Sequence, residues 1–93
     1  MQVKTFKYYQ DAGHGWVAVK RQLLHDLGIA DKISPCSYQK GKTVYLEEDC
    51  DASTFFNAYI LKYGKDSYYT KTTDNRWPDR SPIRSYENYS NNQ

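Results

Sequence analysis

Ala52-Ser53-Thr54-Phe55-Phe56-Asn57-Ala58-Tyr59-Ile60-Leu61-Lys62-Tyr63 follows Glu47-Glu48-Asp49-Cys50-Asp51 and ends at Gly64. This is the most regular stretch of the chain. Ala52, Phe55, Phe56, Tyr59, Ile60 and Tyr63 repeat at helical spacing and form one apolar stripe. The acidic run sits where a helix dipole favours negative charge, and Asp49, Asp51 or Ser53 can cap the first turn. Gly64 is a natural stop. The spacing predicts a helix over 52–63 that must lay its stripe against something flat.

The rest of the chain supplies that surface. Upstream, 2–9 alternates as a strand does, with Phe6 and Tyr8 on one side and Val3, Thr5 and Lys7 on the other. Gln10-Asp11-Ala12-Gly13-His14-Gly15 reads as a loop, and Trp16 to Val19 as the returning strand of a hairpin. A short helix over 20–27 carries Leu23, Leu24 and Leu27 on one face. Gly28 fits the left-handed position that ends it, with Ile29 packing back on Leu24. Strands over 33–39 and 43–46 flank the turn Lys40-Gly41-Lys42. Downstream of the long helix, 67–72 is rich in Tyr and Thr and reads as a last strand.

The element order is therefore β-β-α-β-β-α-β. The simplest assembly is an α+β fold: a small antiparallel sheet of about five strands with two helices on one face. Residues 1–73 form that single domain. From Asp74 the composition shifts to Asn, Asp, Ser, Arg and Pro, so 74–93 is expected as an irregular tail partly docked on the domain. Trp77, Ile83, Tyr86 and Tyr89 are the groups that would anchor it or meet a partner.

Ten tyrosines in 93 residues outnumber what so small a core needs. Tyr joins a rigid ring to a polar tip and orders at low entropic cost, which suits it to contact surfaces. Some of the ten are expected to face outward. The formal net charge of +2 falls short of the excess expected of a dedicated nucleic-acid binder. The start of the chain lacks the apolar run of a secretory signal, so a cytoplasmic location is expected. Cys36 and Cys50 are then two free thiols.

No P-loop, G-x-G-x-x-G, H-E-x-x-H, G-x-S-x-G or C-x-x-C pattern occurs. No catalytic set, cofactor or metal site is expected from the sequence. Glu47, Glu48, Asp49 and Asp51 lack the spacing and glycine of a calcium loop. Their simplest role is helix capping, and their functional role would be a negative patch that meets a partner. His14, between two glycines, is simplest as a turn residue. Tyr38 and Tyr45 with Lys40 and Lys42 form either a Lys-protected strand edge or a stacking platform for single-stranded nucleic acid. Arg76, Arg80 and Arg84 recur every four residues, but Pro78 and Pro82 prevent a helical face there, so the segment reads as an ordered tail covering the sheet or as an extended Arg/Trp/Tyr stretch that docks on another protein.

Four segments carry a resemblance: Gly13-His14-Gly15-Trp16, Leu27-Gly28-Ile29-Ala30-Asp31-Lys32-Ile33-Ser34, Tyr45-Leu46-Glu47-Glu48-Asp49-Cys50-Asp51-Ala52 and Ser81-Pro82-Ile83-Arg84-Ser85-Tyr86. The chain resembles a family of small uncharacterised proteins carried by phages and plasmids. The resemblance implies an accessory protein of a mobile element, by analogy an anti-CRISPR-like inhibitor that occludes a partner's surface in the host cell. On that expectation it is no enzyme, and its partner is a protein or nucleoprotein. Glu47, Glu48, Asp49, Asp51, Tyr38, Tyr45, Trp77 and Tyr86 are the candidate contacts. The alternative is a single-stranded nucleic-acid binder using Lys40, Lys42, Tyr38 and Tyr45.

Overall fold

The computed structural model describes residues 4–72 and 81–91. Trp77, Arg76 and Arg80 lie outside the described residues. The fold is α+β: a six-stranded sheet in the order β5-β1-β2-β4-β3-β6, with both helices against one face. The strands are β1 (Lys4–Gln10), β2 (Gly15–Lys20), β3 (Tyr38–Lys40), β4 (Thr43–Glu47), β5 (Tyr68–Thr72) and β6 (Glu87–Asn88). The helices are α1 (Arg21–Asp26) and α2 (Ala52–Tyr63).

Alternation decides which side chains meet the helices. Phe6, Val17, Val19, Val44 and Leu46 point to the helix side, where they join Leu24, Phe55 and Tyr59 in one core. Phe6 is its hub. Its ring meets Phe55 and Tyr59 edge-on, with centroids 5.2 and 5.3 Å away. Phe56 stacks on Tyr68 of β5 at 4.5 Å. Such pairs add about 0.5–1.5 kcal/mol each beyond the area they bury. They also explain why a stripe rich in aromatics can lock the longer helix onto β1 and β5.

The short helix ends as its sequence predicts. Gly28, at φ 71°, donates to the His25 carbonyl, and Ile29 donates to the Leu24 carbonyl. These are the paired bonds of a Schellman ending, which a left-handed glycine permits.

The sheet departs from expectation in two respects. It is mixed rather than antiparallel, because β5 pairs in parallel with β1, with Phe6 opposite Thr70. The helix α2 carries the chain back to the end where β4 began, so the next strand must run the same way as β4 and hence as β1. It also has a sixth strand. Over 81–91 the chain forms a 3-10 turn at Pro82–Ser85 and the two-residue β6. The backbone of Tyr89 bonds to Ser37, and its hydroxyl donates to the Ala30 carbonyl at 2.5 Å. Tyr89 and Ile83 are buried.

The stretch 33–39 is not one strand. Ala30–Lys32 is a 3-10 turn and Pro35-Cys36 a second turn, leaving only Tyr38–Lys40 in the sheet. Asp51 explains this. It occupies the cap position of α2, yet its carboxylate makes no capping bond. Instead it accepts from the Ser34 N–H at 3.0 Å and from the hydroxyls of Ser34 and Ser37 at 2.9 and 2.5 Å. The 34–37 segment is wrapped around that carboxylate rather than extended. Among the described residues no helix is long and apolar enough to cross a membrane.

Candidate functional site

The face of the sheet away from the helices carries the residues that the core alternation leaves over. They are Lys7 and Tyr9 of β1, Trp16, Ala18 and Lys20 of β2, Tyr45 and Glu47 of β4, and Tyr38 and Lys40 of β3. Ala18 stands directly across from both Lys7 and Tyr45. Its small side chain leaves a floor between them. A cleft of about 840 Å³ takes in Lys7, Tyr9, Ala18, Lys20 and Tyr45 and continues round the Lys4 end of β1 to Leu23 and Tyr63.

Rings crowd this face. Tyr45 lies 5.9 Å from Tyr9 and 5.3 Å from Tyr86, which reaches over from the 81–91 segment. The Lys40 ammonium sits 4.8 Å from the centre of the Tyr86 ring. Burial, followed by the neighbouring Tyr86 and Tyr9, raises the Tyr45 pKa, so its phenol stays neutral. Of the ten tyrosines, only Tyr59 and Tyr89 are buried, and Tyr69 is 56% exposed. The other seven are half-buried: Tyr8, Tyr63 and Tyr68 pack against the core, and Tyr9, Tyr38, Tyr45 and Tyr86 lie on this face.

At the far end the face closes against the loop between β1 and β2. Asp11 builds that loop. Its side chain is fully buried and accepts from the N–H groups of Gly13, His14 and Ser81. Arg84 adds two parallel bonds, at 2.7 and 2.9 Å. This fork, then the backbone donors, holds the Asp11 carboxyl far below the usual carboxylate range against the opposing effect of burial. The Arg84 guanidinium also lies 5.7 Å from the Trp16 ring. Trp16 is 1% exposed and its indole N–H has no partner, the sole such buried side-chain atom among the described residues.

His14 rises from this loop. Its Nδ1 stands 3.4 Å from Glu47 Oε1, and the Asp49 N–H donates to both Glu47 oxygens at 3.2 and 3.1 Å. His14, Glu47 and Asp49 offer ligand atoms that all lie within 4.8 Å of one another. Glu48 turns the other way and accepts from the Tyr8 hydroxyl. Burial and that carboxylate push the Tyr8 phenol well above its ordinary pKa.

The candidate contacts are thus divided. Tyr38, Tyr45, Tyr86 and Lys40 share one face, with Glu47 and the exposed Asp49 at its end. Lys42 is exposed in the β3–β4 turn. Asp51 is 3% exposed and committed to the two serines, so it presents no charge to a partner, and the negative patch shrinks to Glu48, Asp49 and the rim of Glu47. Asp11 and Trp16 build the site without having stood out as contacts, and Arg84, read in the sequence as part of a docking or covering stretch, turns inward to hold Asp11. The legible signal for Asp11 was an Asp two residues before a Gly, the pattern of a side chain that caps its own turn. The stretches around His14, Glu47 and Arg84 meet here. Comparison with known proteins brought out no matching family model, no matching curated protein and no matching solved structure.

Proposed function

We propose that this chain is a non-enzymatic binding module whose contact surface is the helix-free face of its sheet, and that the partner is a single strand of nucleic acid. The row Tyr9–Tyr45–Tyr86, with Lys40 over Tyr86 and Lys7 and Lys20 flanking, carries the reading. Bases stack on such rings whatever their sequence, and ammonium groups beside them meet the phosphates. Glu47 and Asp49 lie at the His14 end of this face, and among the described residues Asp26 of α1 is the one acid that lines the cleft with its lysines. The test is fluorescence anisotropy with labelled single-stranded DNA and RNA at two salt concentrations. Affinity should fall steeply with salt, and Tyr45→Ala should cost about 1–3 kcal/mol of binding. No binding of either strand at low salt would sink the reading.

A second reading is an anti-CRISPR-like inhibitor in the host cytoplasm that occludes a protein surface. Its support is the exposure of Glu48 and Asp49 at one end of the sheet, and of Leu61 (89%) on α2. Capture of a basic host nucleoprotein that Glu48→Lys abolishes would favour it; capture unaffected by that change would count against it.

A further inference from the structure

The geometry points to a divalent transition-metal site formed by His14, Glu47 and Asp49. The three donors come from two pieces of chain: His14 from the β1–β2 loop, and Glu47 and Asp49 from the end of β4 and the turn that follows it. Ligand atoms about 2.1 Å from a shared ion stand roughly 3.0–3.4 Å apart. His14 Nδ1 and Glu47 Oε1 already lie at 3.4 Å, and His14 and Asp49 are exposed enough for small rotations to bring in the rest. An imidazole beside two carboxylates suits Zn²⁺, Mn²⁺ or Fe²⁺ over Mg²⁺ or Ca²⁺, which prefer oxygen alone.

Three features single this cluster out from an ordinary group of surface acids. Glu47 is only 8% exposed, and among the described residues neither it nor Asp49 pairs with a lysine or arginine. The Glu47 oxygens already take the Asp49 N–H and face the His14 ring, and an ion would add the positive charge that no lysine or arginine supplies. The His14 backbone is held in place by Asp11, itself gripped by Arg84, so the ligand is positioned in advance. Finally, the orphaned indole N–H belongs to Trp16, which pairs with Glu47 across the β2–β4 ladder and whose ring is 6.2 Å from that of His14. An ion here would keep positions for water or an anionic group on the side of the cluster that this ring flanks. Three protein ligands leave such positions free.

The site does not depend on the nucleic-acid reading, and its test is separate. Tag-free full-length protein is titrated calorimetrically with Zn²⁺ and with Mn²⁺. One ion per chain is expected. His14→Ala and Asp49→Asn should each weaken binding by at least the ~10–100-fold that loss of a supporting group costs a metal site. Asp66→Asn, on the turn before β5 at the other end of the sheet, should bind like the parent. In the unmodified chain Mn²⁺ should broaden the NMR signals of His14 and of the Trp16 indole before any others. Absence of binding, broadening centred elsewhere, or parental affinity in both ligand variants would overturn the assignment.

Discussion

Arg84 holds Asp11 by a two-pronged grip, Nε to Oδ2 at 2.7 Å and a terminal nitrogen to Oδ1 at 2.9 Å, between residues 73 positions apart. This contact joins the 81–91 segment to the β1–β2 loop, and His14 and Trp16 both depend on it for their placement.

Its pH dependence has a definite sign. The folded Asp11 carboxyl titrates well below its unfolded value, so its stabilisation is complete above the unfolded pKa and fades as pH falls towards the folded one. The parent should therefore lose stability below about pH 4. Asp11→Asn should lower stability at neutral pH by about 2 kcal/mol and flatten the acid slope. Urea unfolding at pH 7 and pH 3 measures both; an unchanged slope in the variant would contradict the role given to Asp11.

Two glycines should fail for different reasons. Gly28 has open space around it but a left-handed backbone, so Gly28→Ala should cost about 1 kcal/mol through strain alone. A Cβ on Gly15 would run into the Tyr8 hydroxyl and stand 2.8 Å from Glu48 Oε2. Gly15→Ala should cost roughly 1–3 kcal/mol and part Tyr8 from Glu48. Melting curves give the totals. Chemical-shift changes centred on Tyr8 and Glu48 should appear in the second variant only.

The two thiols should react unequally. A hydrogen bond with the Cys36 thiol, with burial adding to it, raises the Cys50 pKa, although the Ser34 hydroxyl opposes the rise. Thiolate is the reactive species, and Cys36 is exposed. Iodoacetamide at neutral pH should label Cys36 first, as peptide mass spectrometry would show; equal rates would contradict this account.

Tyr89→Phe removes one hydroxyl and leaves the buried Ala30 carbonyl without that donor. The expected loss is about 1–2 kcal/mol, read from the melting temperature. A neutral result would mean that the 81–91 segment is held by its buried side chains and by Arg84 rather than by this hydrogen bond.

What was legible followed the local pattern. The stripe from Ala52 to Tyr63 gave α2 to the residue, and Gly28 gave the end of α1 with its bonds. Residue identity sets such features within one or two turns of chain. The β1–β5 pairing was not legible, since Phe6 and Thr70 meet only after α2 has turned the chain round. The two-residue β6 was too short to show a period. Asp51 misled because a cap residue and a buried acceptor for two serines look alike until the Ser34–Ser37 turn is seen around it. Tyr38, Tyr45 and Lys40 were legible together because a tight turn fixes their register. Trp16 and Arg84 were not, because the contact between them joins distant parts of the chain.

The Arg84 grip also sets a clock on biogenesis. Ribosomes add about 5–20 residues per second, so Asp11 emerges some 4–15 s before its counter-ion has been made. Until then a nascent chain holds an acid in a hairpin that cannot yet enclose it. The contact between the first loop and the distal segment is therefore among the last that a growing chain can close.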